Sequence, residues 1–191
     1  TRGDMNSFKN QKNSFLKSDP IKTSLIKDKI KKSGFKICGI SWKSRNPIIG
    51  EEKSLSLNQL LPVLKLTNTI FIDLQYGDTS WEKKNIYDLF GIEIKSISEI
   101  DNLNNLDGLT SLIDVCDFIV TISNATAHIA GGLNKKTYLL LPNSFGKLWY
   151  WGQSSDGSLW YPSVEIYRCP KSGLWDEAIE NLSERLRKIY E

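Results

Sequence analysis

Residues 118–142 read FIVTISNATAHIAGGLNKKTYLLLP, and this stretch decides the fold. An apolar strand-like run, Phe118 to Ile122, breaks into the small polar turn Ser123-Asn124-Ala125-Thr126, which opens a short helix carrying His128 and ending in glycines. A second apolar run, Thr137 to Leu141, follows at once and stops at Pro142. Strand, helix and strand in so few residues make a βαβ unit, whose two strands are parallel. Hydroxyls and the chain's one histidine fall where the first strand meets the helix. In open parallel sheets ligands sit outside the carboxyl ends of strands, and a helix N-terminus there presents free N–H donors and partial positive charge. The guest such a corner favours is an anion such as a phosphate.

Outward from this unit the same alternation continues. Pro20 opens a helix with Ile21, Leu25, Ile26 and Ile30 as its expected apolar stripe, ended by Ser33-Gly34. Phe35 to Ile40 is nearly all apolar, as a buried parallel strand should be. A polar loop, Ser41 to Glu52, precedes a helix expected to be capped by Ser56, with Leu57, Leu60, Leu61 and Leu64 on one face. Thr69 to Leu74 supplies a strand, Ser80 to Phe90 a helix stopped by Gly91, and Ile92 to Ile94 a short strand. Leu106 to Cys116 is a helix leading into Phe118. Past Pro142 the texture turns to Gly, Ser and aromatics, with Trp149, Tyr150, Trp151, Trp160 and Tyr161, before a strand at Val164 to Tyr167 and an amphipathic helix from Trp175 to Tyr190. Strands alternating with helices predict a doubly wound α/β sheet covered on both faces. Residues 1–18 read as a disordered or linker stub, and 19–191 as one domain with an N-terminal linker helix.

Composition bounds the function. With 191 residues, 40% hydrophobic content and 25% charged content, the chain can bury a core of its own. Net charge is only +3, but lysines crowd residues 9–36. Such a run serves either as a solvated helix face or as a nucleic-acid arm; scarce arginine and few interleaved aromatics favour the first. Cys38, Cys116 and Cys169 are odd in number, far apart and without CxxC spacing, which suggests neither a disulfide framework nor a zinc site. They lie in apolar runs rather than at electropositive helix starts, a poor setting for a nucleophile. No signal-peptide or membrane-spanning stretch appears, and the expected compartment is the reducing cytoplasm.

The first βα turn, Gly39-Ile40-Ser41-Trp42-Lys43-Ser44, lacks GxGxxG, and no GxxxxGK[ST] occurs. A dinucleotide site and a P-loop are therefore not expected. The loop instead offers Lys43, Arg45, Lys53 and Ser54 on the same sheet edge as Thr126, a set that would cradle a diphosphate if it converged with the helix N-terminus. A lone histidine is ordinarily a core or surface residue with a satisfied hydrogen bond. The position of His128 on the first turn of that helix sets ligand binding beside this ordinary role. One histidine excludes a multi-His metal site, and Asp73, Asp78, Glu82 and Asp117 carry no pairing that marks a general base. The aromatic loop either packs over the sheet or forms a stacking shelf for a base or sugar, packing being expected for most rings.

GISWKSRNPIIGEEKSLSLNQLLPVL, FIDLQYGD, DFIVTISNATAHIAGGLNKKTYLLLP and WYPSVEIYR, in this order, resemble the C-terminal half of heptosyltransferase-like glycosyltransferases of family nine, in the versions fused behind tetratricopeptide repeats in bacteria. The resemblance covers Asp19 to the end. It implies a GT-B architecture in which this Rossmann-like half binds a nucleotide-sugar donor without a metal or other cofactor. It implies that Ser123, Thr126 and His128 surround the donor diphosphate with Lys53 or Lys43 as balancing cation. It further implies that Gln75, Tyr76, Gly77 and Asp78 flank the nucleoside and that Glu82 reaches a ribose hydroxyl. The family usually has an acid and a glycine before the helix, where this chain has Asn124 and Ala125; heptose specificity does not follow. No second Rossmann unit precedes Phe35, so the expectation is the donor half of a transferase, inactive without an acceptor domain that carries the base. The alternative is an α/β interaction module that has kept the fold and lost the chemistry.

Overall fold

The computed structural model describes Phe8 and residues 14–143, 148–152, 157–170 and 174–191. Apart from Phe8, the polar start at residues 1–13 and part of the Gly- and Ser-rich stretch after Pro142 lie outside the described residues.

Among the described residues six strands form one sheet: β1 Lys36–Ser41, β2 Thr69–Asp73, β3 Ile94–Lys95, β4 Phe118–Ile122, β5 Thr137–Leu141 and β6 Val164–Arg168. Their order is β3-β2-β1-β4-β5-β6, every pair parallel. The α-helices that precede, connect and follow them are α1 Pro20–Ile30, α2 Gly50–Lys53, α3 Leu61–Leu64, α4 Ser80–Phe90, α5 Leu106–Val115, α6 Ala125–Gly132 and α7 Asp176–Tyr190. This is the expected doubly wound, Rossmann-like α/β fold. Every residue of β4 and β5 is buried, because helices cover both faces and alternation has no solvent side to serve.

Successive side chains divide the core. Cys38, Ile40, Phe118, Val120, Tyr138 and Leu140 face one layer with Leu60, Leu64 and Ile86 and with Ile179, Leu182 and Leu186 of α7. Ile37, Ile70, Ile72 and Ile119 face the other, against Ile26 and Ile30 of α1 and Leu109, Leu112 and Ile113 of α5. On that second side, Leu139, Leu141, Val164 and Ile166 pack with Ala127 and Trp151. Among the described residues no helix is long and apolar enough to cross a membrane.

The structure corrects three local expectations. In α1 only Ile26 and Ile30 are buried, while Ile21 and Leu25 are exposed. At about 100° per residue the Ile21–Leu25 row stands roughly 140° away from the Ile26–Ile30 row, so the four never formed one stripe. The helix expected from Ser56 is mostly turn. Pro62 has no N–H for the Asn58 carbonyl, which instead accepts from Leu61 N three residues on, and α3 is confined to Leu61–Leu64. Leu57, Leu60 and Leu64 are buried nonetheless. The third strand is Ile94–Lys95 rather than Ile92–Ile94, since the chain leaves Gly91 in the left-handed region, φ 67°, and needs residues to turn.

β1 and β4 are neighbours, yet the chain leaves β1 toward β2 on one side and β4 toward β5 on the other. Their carboxyl ends, Ser41 and Ile122, therefore border the crevice where strand order reverses.

Candidate functional site

The β4–α6 turn forms because Asn124 serves as N-cap. Its Oδ1 accepts from Ala127 N at 3.4 Å and from Thr121 Oγ1 at 3.2 Å, while its Nδ2 donates to Ser41 Oγ at 2.8 Å. One amide thus caps the helix and ties the ends of β4 and β1 together. Asn124 is not among the site residues expected above, although an Asn before a helical run is a readable N-cap signal. The backbone N–H groups of Ala125 and Thr126 donate to no partner among the described residues. They are among the N–H groups that the first turn of a helix leaves without intrahelical partners.

Lys53, at the end of α2, reaches into this corner. It is 5% exposed, and its Nζ donates to the Ser123 carbonyl at 2.9 Å. No carboxylate pairs with it among the described residues. Burial holds its pKa below the ordinary lysine value. An ammonium taken from water without an anion is costly, so a negatively charged guest would relieve it. Gly50 lets α2 close on the β1 loop: a Cβ there would stand 2.6 Å from the Ser44 carbonyl oxygen.

Lys43 is otherwise engaged. Its Nζ forms a 2.6 Å ion pair with Glu82 Oε2, and Trp42 Nε1 donates to Glu82 Oε1 at 3.3 Å. Gln75 turns its side chain inward, Oε1 accepting from Trp42 N at 2.9 Å, Lys43 N at 2.7 Å and Ser41 Oγ at 3.1 Å. The Tyr76 hydroxyl accepts from Arg45 N at 2.6 Å. These contacts hold the β1 loop against the end of β2. Gln75, Gly77 and Asp78 also line a polar cleft of about 410 Å³ with Lys83, Ser96 and Asn102. Asp73 anchors its floor, accepting from Thr79 Oγ1 at 2.6 Å and Lys83 Nζ at 2.7 Å.

Ser123 and Thr126 are buried at the corner. Trp151 Nε1 donates to Ser123 Oγ at 2.9 Å, and the Tyr150 hydroxyl is hydrogen-bonded to the same side chain. Arg168, at the end of β6, holds this aromatic turn by donating from Nη2 to Trp151 O at 3.1 Å and Gly152 O at 3.2 Å. His128 stacks on Trp151, ring centroids 4.9 Å apart at 21°, with Nδ1 2.9 Å from the Tyr161 hydroxyl. Burial first, and the Lys53 cation second, depress its pKa. The packing role expected for most aromatic rings is met by buried Trp151, whereas Trp149 is 77% exposed. A larger cavity of about 640 Å³, between Asn58, Gln59 and Pro62 and the start of α7, lies apart from this corner. No cluster of three or more His, Cys, Asp or Glu side chains able to hold a metal occurs among the described residues.

The same arrangement of strands and helices occurs in known enzymes. E. coli ADP-heptose LPS heptosyltransferase II superposes with a TM-score of 0.62 at 16% identity, over 92% of this chain and 53% of that one. The chain has a glycosyltransferase-like fold. The glycosyl transferase of family nine from Veillonella parvula gives 0.60 at 8% identity, over 95% and 55%. E. coli heptosyltransferase WaaC, bound to ADP-2-deoxy-2-fluoro heptose, gives 0.54 at 11%, over 92% and 50%. The chain spans about half the length of these structures. No protein-family model matches it. In sequence it is 29% identical over 181 residues to Protein FlbA of Caulobacter vibrioides, across 93% of this chain and 29% of that protein.

Proposed function

We propose that this chain binds the nucleoside diphosphate portion of a nucleotide sugar across the β1–β4 crevice, as the donor-binding part of a glycosyltransferase. The observation that carries this reading is Lys53: a buried ammonium without a carboxylate partner among the described residues, beside the two unbonded amides that open α6. A diphosphate supplies the missing negative charge, and the amides supply donors for its oxygens. Lys53 is the balancing cation of choice, because Lys43 is held by Glu82. The polar cleft lined by Gln75, Gly77 and Asp78 accommodates the nucleoside. The likeness in fold to heptosyltransferases supports a sugar nucleotide over a free nucleotide.

In such a transfer the bond between the sugar and the leaving diphosphate breaks as an acceptor hydroxyl attacks. Lys53, Thr126 and His128 stabilise charge that grows on the leaving oxygen. The general base comes from elsewhere in a larger protein. Titration calorimetry against UDP, ADP and GDP, with and without their sugars, tests the reading. Binding of one of them in the 10⁻⁵ to 10⁻³ M range, on the order expected for a site with few contacts, supports it. Silence from all of them at millimolar concentration removes the donor site and leaves the interaction module.

A further inference from the structure

Tyr161 stands outside the expected site, 33 positions from His128, yet its ring is fixed more firmly than a surface tyrosine needs. It lies on α6 at Gly131, where a Cβ would meet its Cγ at 2.4 Å, so only glycine admits the ring there. Phe15 stacks on it from the segment before α1, centroids 6.0 Å apart at 29°, and Trp151 adjoins it at 5.9 Å. Phe15 is itself held by its amide, which donates to the Gly132 carbonyl at 3.0 Å. The outcome of this packing is one polar contact, the 2.9 Å hydrogen bond between the Tyr161 hydroxyl and His128 Nδ1.

We propose that Tyr161 is a positioning residue: its O–H donates to Nδ1 of His128 and fixes the imidazole as the Nε2–H tautomer, so that the opposite nitrogen is a donor available to a bound anion. A phenol is a good donor to a neutral imidazole nitrogen, and the other nitrogen must then carry the ring proton. Burial keeps Tyr161 protonated, raising its pKa, while burial and Lys53 keep His128 neutral. The Trp151 stack prevents the ring from tilting away. The use of the donor toward diphosphate rests on the function proposed above; the tautomer does not.

His128 is the chain's single histidine, so ¹⁵N NMR of the labelled 191-residue protein reports its tautomer without ambiguity. The expected spectrum at neutral pH shows a protonated Nε2 and a bare Nδ1. Tyr161→Phe keeps the ring on Gly131 and removes only the donor, and it should shift the spectrum toward a mixture of tautomers. ADP and UDP should bind this variant roughly three- to tenfold more weakly, the order expected for one hydrogen bond. In a His128→Ala background the same change should cost almost nothing, since Tyr161 acts through His128. A wild-type Nδ1–H tautomer, or a Tyr161→Phe spectrum identical to wild type, overturns the proposal. If neither nucleotide binds wild type, the donor-site reading fails while the spectra still decide the role of Tyr161.

Discussion

The Nζ of Lys53 lies 2.9 Å from the carbonyl oxygen of Ser123, joining a four-residue helix after β1 to the end of β4 across 70 positions of sequence. One neutral acceptor does not compensate a buried ammonium. Lys53→Met should therefore leave the fold intact or firmer, with a melting temperature unchanged or higher by about 2–4 °C per kcal/mol gained for a chain of this size. The same change should weaken nucleoside diphosphate binding by roughly tenfold or more, since charge-assisted bonds are the strong ones. Thermal melts and calorimetry on one preparation check both halves. A variant that melts lower and binds as before would show that the ammonium is structural.

His128 should titrate below its ordinary value of 6.5, because burial and the Lys53 cation both oppose the imidazolium. Between the lowered folded value and 6.5 the unfolded chain binds more protons than the folded one. Stability contributed by the neutral ring is thus complete above 6.5 and is lost as pH falls through that window. Denaturant melts should weaken over that interval in wild type and less so in His128→Asn. A diphosphate beside the ring favours the charged form, so saturating ADP should raise the NMR titration midpoint. A midpoint at or above 6.5 in the free protein would contradict the burial seen here.

Much of the frame was legible because it is local. The runs Phe118 to Ile122 and Thr137 to Leu141 became β4 and β5 with the same bounds, since a strand buried on both faces needs no other signal. The start of α6 was legible from the Ser-Asn-Ala-Thr turn. What escaped is long-range or depends on angle. Nothing in sequence pairs Lys43 with Glu82, 39 positions on, or aims Tyr161 at His128. The expected α1 stripe fails because its apolar residues stand in two rows on different sides of the helix. The Ser56 helix failed because one proline outweighed four leucines. Nor does the sequence show the burial and the Lys53 cation that depress the pKa of His128.

Asn124→Ala should be more damaging than its modest size suggests. It removes the cap on Ala127 N and the 2.8 Å bond to Ser41 Oγ at once, leaving a buried hydroxyl with less support. The loss should be about 1–3 kcal/mol, combining a missing N-cap with a broken buried hydrogen bond. Asn124→Asp retains the cap acceptors but cannot donate to Ser41, and should recover part of that loss. Urea unfolding of the three proteins gives the ranking. Equal stability of all three would mean that the turn is held by packing alone.

Glu82 offers the sharpest separation of the nucleoside from the phosphates. Its side chain is 14% exposed, and its carboxylate holds both Lys43 Nζ and Trp42 Nε1 of the loop that follows β1. If it also accepts from a ribose hydroxyl, Glu82→Gln should weaken ADP or UDP by roughly tenfold, about the worth of one hydrogen bond to a charged acceptor. Pyrophosphate does not present a ribose, and the change frees Lys43 from its ion pair. Its binding should hold or tighten. The deoxy analogue lacking the contacted hydroxyl should bind wild type about as weakly as ADP binds the variant, and should lose nothing further on mutation. Calorimetry of the three ligands against the two proteins completes the cycle. Parallel losses for ADP and pyrophosphate would place Glu82 with the phosphates, or with the loop they rest on, and would withdraw the ribose contact.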